Sequence, residues 1–266
     1  MPESIQLAFT GAAGRMGQRL VALAHAAADL HVAVALERRD HPNLGRDAGV
    51  IAGVGEIGTP LTDAWASPPD CLIDFSTPAG AMRAVELCSA DHVPLVLATT
   101  GLSEEEQSRV RTAAGVIPVL WAPNMSLAVN LGMKLVAVAA DALKADAEAV
   151  DVEIIERHHR YKEDAPSGTA LRFGEIVAEA MGQTQHTHGR EGRPGVRPRG
   201  EIGYHALRVG DDPGQHTIVF GLLGETLEVT VKATSRDAYA YGALAAARYL
   251  VGKPAGMYSI NDVLGL

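Results

Sequence analysis

Apolar residues in the first half of the chain alternate between short continuous runs and helical spacing. Residues 5–10 form a brief apolar run that ends at Gly11, and over 15–28 the side chains of Met16, Leu20, Leu23 and Ala27 share one helical face. A second strand is predicted over 31–36, closed by Glu37, and a third over 71–75. The next helix, about 78–90, starts at Pro78, where a missing N–H leaves no helical bond unmade. Another strand covers 94–99. Ser103 with Glu106 three residues on makes a capping box for the helix that follows, and a fifth strand covers 116–121. Repeated strand–helix–strand units of this kind predict a doubly wound parallel sheet of Rossmann type, an α/β architecture.

The pattern changes after Asn124. A long helix is expected over 126–144, a strand over 152–158, a polar loop over 160–167 and a helix over 168–181. Residues 183–200, rich in Gly, Pro and Arg, read as a loop. Three β-patterned stretches follow at 202–209, 216–222 and 226–234, then an Ala-rich helix at 236–251. The expectation is a dinucleotide-binding domain at 1–126 and a substrate-binding and oligomerisation domain at 127–235. The second is α+β with a largely antiparallel or mixed sheet. Residues 236–266 are expected to pack back on the first domain.

Composition narrows the classes of function. The 266 residues are 47% hydrophobic with a formal net charge of -9, which argues against a general nucleic-acid or membrane-surface role. No apolar run approaches the roughly 20 residues needed to span a bilayer, and the N-terminus has no basic leader pattern. Cys71 and Cys88, the only two cysteines, sit in apolar contexts and read as small buried hydrophobes of a reducing compartment. A cytoplasmic protein is expected.

Candidate chemistry begins at the first turn. Gly11-Ala12-Ala13-Gly14-Arg15-Met16-Gly17 lies between the first strand and helix, where backbone N–H groups and the positive helix end can meet a pyrophosphate. The spacing is GxxGxxG, with Ala13 where the strict pattern has its second Gly. Glu37 ends the second strand, where an acid can bind ribose hydroxyls, and Arg38 and Arg39 can meet a 2′-phosphate. An acid beside a base implies tolerance of both NADH and NADPH. Asp74-Phe75-Ser76, Thr99-Thr100-Gly101 and Ala122-Pro123-Asn124-Met125 each end a strand of the same sheet, where such folds place their ligand crevice.

The second centre is the segment from Glu153 to Ala170. A strand ends in His158 and His159, a basic loop carries Lys162, and Ser167-Gly168-Thr169 opens a helix. Ser167 can cap that helix, while Gly168 and Thr169 offer N–H groups to a carboxylate. His158 can move protons near neutral pH. On residue types alone, a structural histidine pair and a solvated charge run remain open alternatives.

That segment resembles the E-x-x-E-x-H-H-x-x-K-x-D-x-P-S-G-T-A signature of the dihydrodipicolinate reductases. The resemblance extends over nearly the whole chain through GAAGRMG, DFS, ATTG, APNMS and KATSR. It implies an NADH- or NADPH-dependent reductase acting on 4-hydroxy-tetrahydrodipicolinate or its dehydrated ring, in lysine and diaminopimelate biosynthesis. It further implies that His158 is proton donor and acceptor, Lys162 a second proton donor and His159 a substrate contact. Ser167, Gly168 and Thr169 would cradle a substrate carboxylate. Cofactor contacts would fall on Gly11 to Met16, Glu37, Arg38, Ala98, Thr99, Thr100 and Ala122 to Met125, and Arg236 is a further candidate for substrate binding. Closure between the domains would assemble the site, and a homotetramer is implied.

Two rival functions are another amino-acid-pathway dehydrogenase and a non-catalytic nucleotide sensor. The first, in its acyl-enzyme form, needs an activated Cys, and the second should show decay at His158, Lys162 or Ser167 to Thr169. Neither feature is visible. No metal is expected; His186 and His188 have H-x-H spacing, but no third ligand is evident.

Overall fold

The computed structural model describes residues 4–146 and 149–266; residues 1–3, part of the stretch read as lacking a leader, lie outside them. Along the chain come β1 (Ile5–Thr10), α1 (Arg15–Ala26), β2 (Leu30–Leu36), α2 (Ala48–Ala52), β3 (Leu61–Thr62), β4 (Cys71–Asp74) and α3 (Pro78–Asp91). These are followed by β5 (Leu95–Leu97), α4 (Glu104–Ala113), β6 (Pro118–Trp121) and α5 (Leu127–Leu143). Next are β7 (Asp151–His158), α6 (Gly168–Met181), β8 (Gln185–His188), β9 (Glu201–Arg208), β10 (Gln215–Leu222) and β11 (Glu225–Lys232). The chain ends with α7 (Asp237–Leu250), β12 (Gly256–Tyr258) and α8 (Ile260–Leu264). It divides into two compact units, one running to Leu127 and including Asp237–Leu266, the other Ala128–Arg236.

The first unit holds a seven-stranded sheet in the order β12-β6-β5-β4-β1-β2-β3, parallel at every pairing. Phe9, Ile73, Leu20 and Leu244 pack on one face, under α1 and α7. Leu72, Leu95, Val85 and Val110 pack on the other, under α3 and α4. The doubly wound reading is therefore borne out. Ser103 caps α4 in a capping box, its Oγ accepting from the Glu106 N–H at 3.3 Å while Glu106 Oε2 accepts from the Ser103 N–H at 2.7 Å. The strand order reverses between β1 and β4, and a crevice opens there at the strands' carboxyl ends.

The second unit holds a five-stranded sheet in the order β11-β10-β7-β9-β8. β9 runs parallel to β7 and to β8, whereas β10 is antiparallel to β7 and β11, so the sheet is mixed. Val152 and Ile154 of β7 and Ile218 and Phe220 of β10 are buried against Val136 of α5 and Phe173 of α6.

Several short elements were not anticipated: α2, β3, β8, β12 and α8. Each is too brief for periodicity to register. Gln185–His188, read as loop, is a strand because β9 supplies its backbone partners, not because its own polar residues alternate.

Candidate functional site

In the first unit, β1 delivers the chain to Gly11, whose φ of +73° favours glycine. A Cβ on Gly17 would lie 2.1 Å from the Gly11 carbonyl oxygen, so this glycine lets α1 close on the turn. Gly14 stands at the N-cap of α1 with no side-chain cap, which leaves the first-turn N–H groups for another acceptor. A cavity of about 580 Å³ opens beside this turn, lined by Thr10, Gly11, Gly14, Glu37, Ser76 and Arg83 among others. Thr10 Oγ1 is buried there without a hydrogen-bond partner among the described residues. A glycine turn, an uncapped helix start and an orphaned hydroxyl around one cavity fit a dinucleotide.

Glu37 reaches back to this turn. Its Oε1 accepts from the Ala13 N–H at 3.0 Å and its Oε2 from the Arg38 N–H at 3.3 Å. The side chains of Arg38 and Arg39 are exposed beyond it. At the far side of the crevice, the fully buried Asp74 accepts from the Ser76 hydroxyl at 2.5 Å and from the hydroxyl of Thr99. Burial pushes the Asp74 carboxyl up to about 6 in spite of those donors. The ends of β4 and β5 are thereby tied together, with Ala98 and Thr99 buried and Thr100 exposed. Ala122 and Met125 are buried in the next strand-end loop, and Asn124 Oδ1 accepts from the Ser126 N–H at 2.9 Å.

In the second unit, β7 alternates in burial, which puts Glu156 and His158 together on the covered side. His158 Nδ1 hydrogen-bonds Glu156 Oε2. Glu156 Oε1 accepts from Arg208 Nη2 at 2.8 Å and from the Ser167 N–H at 3.3 Å. Ser167 Oγ accepts from the Ala170 N–H at 3.2 Å, capping α6, and lies 3.0 Å from His216 Nε2. The His158 and His216 rings meet edge to face at 5.1 Å. Lys162 Nζ pairs with Asp164 at 2.7 Å. Gly168 is exposed and Thr169 half-buried in the first turn of α6. His159 Nδ1 is buried with no hydrogen-bond partner among the described residues.

The electrostatics of this cluster are uneven. Burial drives His216 down to about 4, with His158 adding to the effect, so His216 is a neutral imidazole at physiological pH. Burial also lowers His158, as do the charges of Lys162 and Arg208, while Glu156 opposes them. For Glu156 burial acts upward, but Arg208 and His158 outweigh it and hold the carboxyl below its ordinary value.

Glu156, His158 and His216 bring potential ligand atoms within 4.8 Å of one another. Arg208 already occupies Glu156 and Lys162 carries a second positive charge nearby, so the cluster suits an anion better than a cation. His186 and His188 both lie against the Tyr204 ring, at 5.6 and 5.1 Å, and His186 Nδ1 is 2.8 Å from its hydroxyl.

Sequence reasoning named His158, His159, Lys162 and Ser167 but passed over Arg208 and His216 as parts of the cluster. His216 could have been suspected from the alternation of its strand. Nothing in the sequence flags Arg208, whose place depends on β9 lying beside β7.

A Rossmann-type sheet with a nucleotide crevice, joined in one chain to a mixed-sheet unit bearing a polar histidine cluster, defines a two-domain nicotinamide-nucleotide-dependent oxidoreductase. Residues 5–125 match the family model of the dihydrodipicolinate reductase N-terminus and residues 128–264 that of its C-terminus. The chain belongs to the dihydrodipicolinate reductase family. A 4-hydroxy-tetrahydrodipicolinate reductase of Rhodopirellula baltica is 52% identical, covering 98% of this chain and 96% of its own. One from Trichlorobacter lovleyi is 43% identical over 98% and 99%. Among solved structures, the dipicolinate-bound dihydrodipicolinate reductase of a Paenisporosarcina species superposes with a TM-score of 0.77 at 25% identity, covering 96% of this chain and 97% of that one. An amine dehydrogenase of Mycobacterium smegmatis shares the fold, with a TM-score of 0.61 at 12% identity. The family reduces 4-hydroxy-tetrahydrodipicolinate with NADH or NADPH, and that is the function of this chain.

Proposed function

We propose that the polar cluster of the second unit holds the dicarboxylate and moves the proton of the reduction. His158 is the proton donor and acceptor, and Lys162 is a second donor close enough to depress both histidines. Ser167, Gly168 and Thr169 at the start of α6 cradle a substrate carboxylate, where backbone N–H groups and the helix dipole favour negative charge. His159 contacts the ring or its other carboxylate, a role that would satisfy its buried Nδ1. The observation that carries this reading is the convergence of His158, the capped start of α6 and the Lys162 loop around one buried carboxylate, Glu156.

The backbone of Gly11 to Met16 holds the cofactor pyrophosphate, Glu37 and Arg38 the adenosine ribose, and the strand-end segments Ala98 to Thr100 and Ala122 to Met125 the nicotinamide end. When bound, NADH or NADPH supplies the hydride for the substrate ring. Lys162 supplies the positive charge that stabilises negative charge developing on the dicarboxylate.

The second unit is also proposed to build a homotetramer. Leu131, Leu135 and Val138 form an exposed stripe on α5, and Leu227 on β11 is 43% exposed. Two buried free thiols are compatible with the cytoplasm.

The test is a coupled assay in which the preceding synthase makes the substrate from pyruvate and aspartate semialdehyde. The expected result is rapid oxidation of NADH or NADPH that needs every component, lost in His158→Ala. Wild-type activity in His158→Ala would refute the assigned proton role.

A further inference from the structure

We propose that Glu156 is the positioning residue of the site, fixing the tautomer and orientation of His158. The inference rests on the reading of His158 as the proton-transferring group.

Glu156 is 1% exposed. A carboxylate buried to that degree is costly unless every oxygen is bonded. Here the two oxygens have separate tasks. Oε1 takes Arg208 Nη2 and the Ser167 N–H, and Oε2 faces His158 Nδ1. An ionised carboxylate only accepts hydrogen bonds, so Nδ1 must carry the hydrogen between them. In the neutral ring Nε2 is then the basic nitrogen, and it is the atom that exchanges a proton with substrate.

Gly214 lies beside Nε2 with φ +148°, and a Cβ there would stand 2.9 Å from that atom. Any side chain at 214 would press on this edge of the ring.

The same carboxylate registers the rest of the cluster. Through the Ser167 N–H it ties His158 to the start of α6. Its partner Arg208 also donates to the carbonyls of Asp164, at 2.6 Å, and Lys162, at 3.3 Å, which anchors the loop bearing the second proton donor. One ion pair, buried on its Glu156 side, thus holds all three parts of the proposed site in register.

The charged and titratable groups facing His158 are Glu156 on its own strand, His216 from β10, Arg208 from β9 and Lys162 from the following loop. Only Glu156 favours the protonated ring. Removing its charge should lower the His158 titration and weaken the preference for hydrogen on Nδ1.

The experiment pairs kinetics with long-range 1H–15N NMR of histidine-labelled protein. Wild-type His158 should titrate with hydrogen on Nδ1 in its neutral form; a predominant Nε2–H tautomer would overturn the proposal. Glu156→Gln should lower kcat roughly ten- to hundredfold, leave the KM for NADH within about twofold, and move the basic limb of the pH profile, where the proton donor is lost, to lower pH. Glu156→Asp, which keeps the charge on a shorter arm, should recover part of kcat. A Glu156→Gln enzyme that melts like wild type and keeps the wild-type profile, while His158→Ala is inactive, would overturn the role of Glu156 alone. If His158→Ala stayed active, the underlying reading would fall, whatever the tautomer. Should Glu156→Gln not fold, the wild-type tautomer decides.

Discussion

Gly242, in α7, lies against the carbonyl oxygen of Met125, and a Cβ built on it would stand 1.7 Å from that atom. Met125 belongs to the strand-end loop proposed to line the nicotinamide, so the returning helix is fitted to this loop by the absence of one side chain. Gly242→Ala must push the helix and the loop apart. Overpacking of this kind costs about 1–3 kcal/mol, and contact with rigid backbone puts this case near the upper end. Urea unfolding should show the loss and the KM for NADH should rise with it. A midpoint equal to wild type would show the contact to be slack.

Replacing the proposed proton groups should separate their roles. His158→Ala is expected to lower kcat roughly 100-fold or more, the contribution typical of a positioned acid–base group, with little change in KM. Lys162→Ala should impair both parameters, since its charge serves binding as well as turnover. Steady-state kinetics on both variants decide this, and a pure KM effect for His158→Ala would count against the assignment.

Asp74 gives the first unit a dependence on pH. Its folded value of about 6 lies above the ordinary 3.8. The folded chain therefore holds this proton more tightly between those values, so its contribution is greatest below about 4 and is lost as pH rises through 6. Asp74→Asn cannot ionise. The stability advantage of wild type over that variant should shrink between pH 4 and 7 by an amount on the order of 2–3 kcal/mol. Parallel thermal melts across that range test it, and an advantage that grows with pH would contradict the shift.

Gly174 in α6 and Tyr204 in β9 are matched in the same way as Gly242 and Met125. A Cβ at 174 would fall 1.7 Å from the Tyr204 hydroxyl oxygen, the group that meets His186. Gly174→Ala should cost about 1–3 kcal/mol. Adding Tyr204→Phe removes the clashing oxygen, so the double variant should be more stable than the two single losses predict, by roughly 1 kcal/mol. Strict additivity in denaturant melts would mean the two sites do not communicate.

The elements and motifs that depend on neighbours in sequence could be read without a structure. Gly11 to Gly17 between a strand and a helix, the Ser103 capping box, and the run from His158 to Thr169 are all local patterns. Backbone sterics and hydrogen bonding over a few residues determine them, and the doubly wound sheet follows from their repetition.

Tertiary structure decided what depends on strand order. The sequence implied a largely antiparallel or mixed sheet without its strand order; β7 lies between β9 and β10, and this placement brings Arg208 and His216 to the two sides of Glu156 and His158. The sequence itself leaves Glu156 and Arg157 looking alike, as charges in a polar run. Only the pleat of β7 and the cover of α6 separate them, burying the first among donors and leaving the second at the surface. Periodicity specifies which residues face inward; which long-range partners meet them is set by the packing of whole strands, a property no short stretch of chain contains.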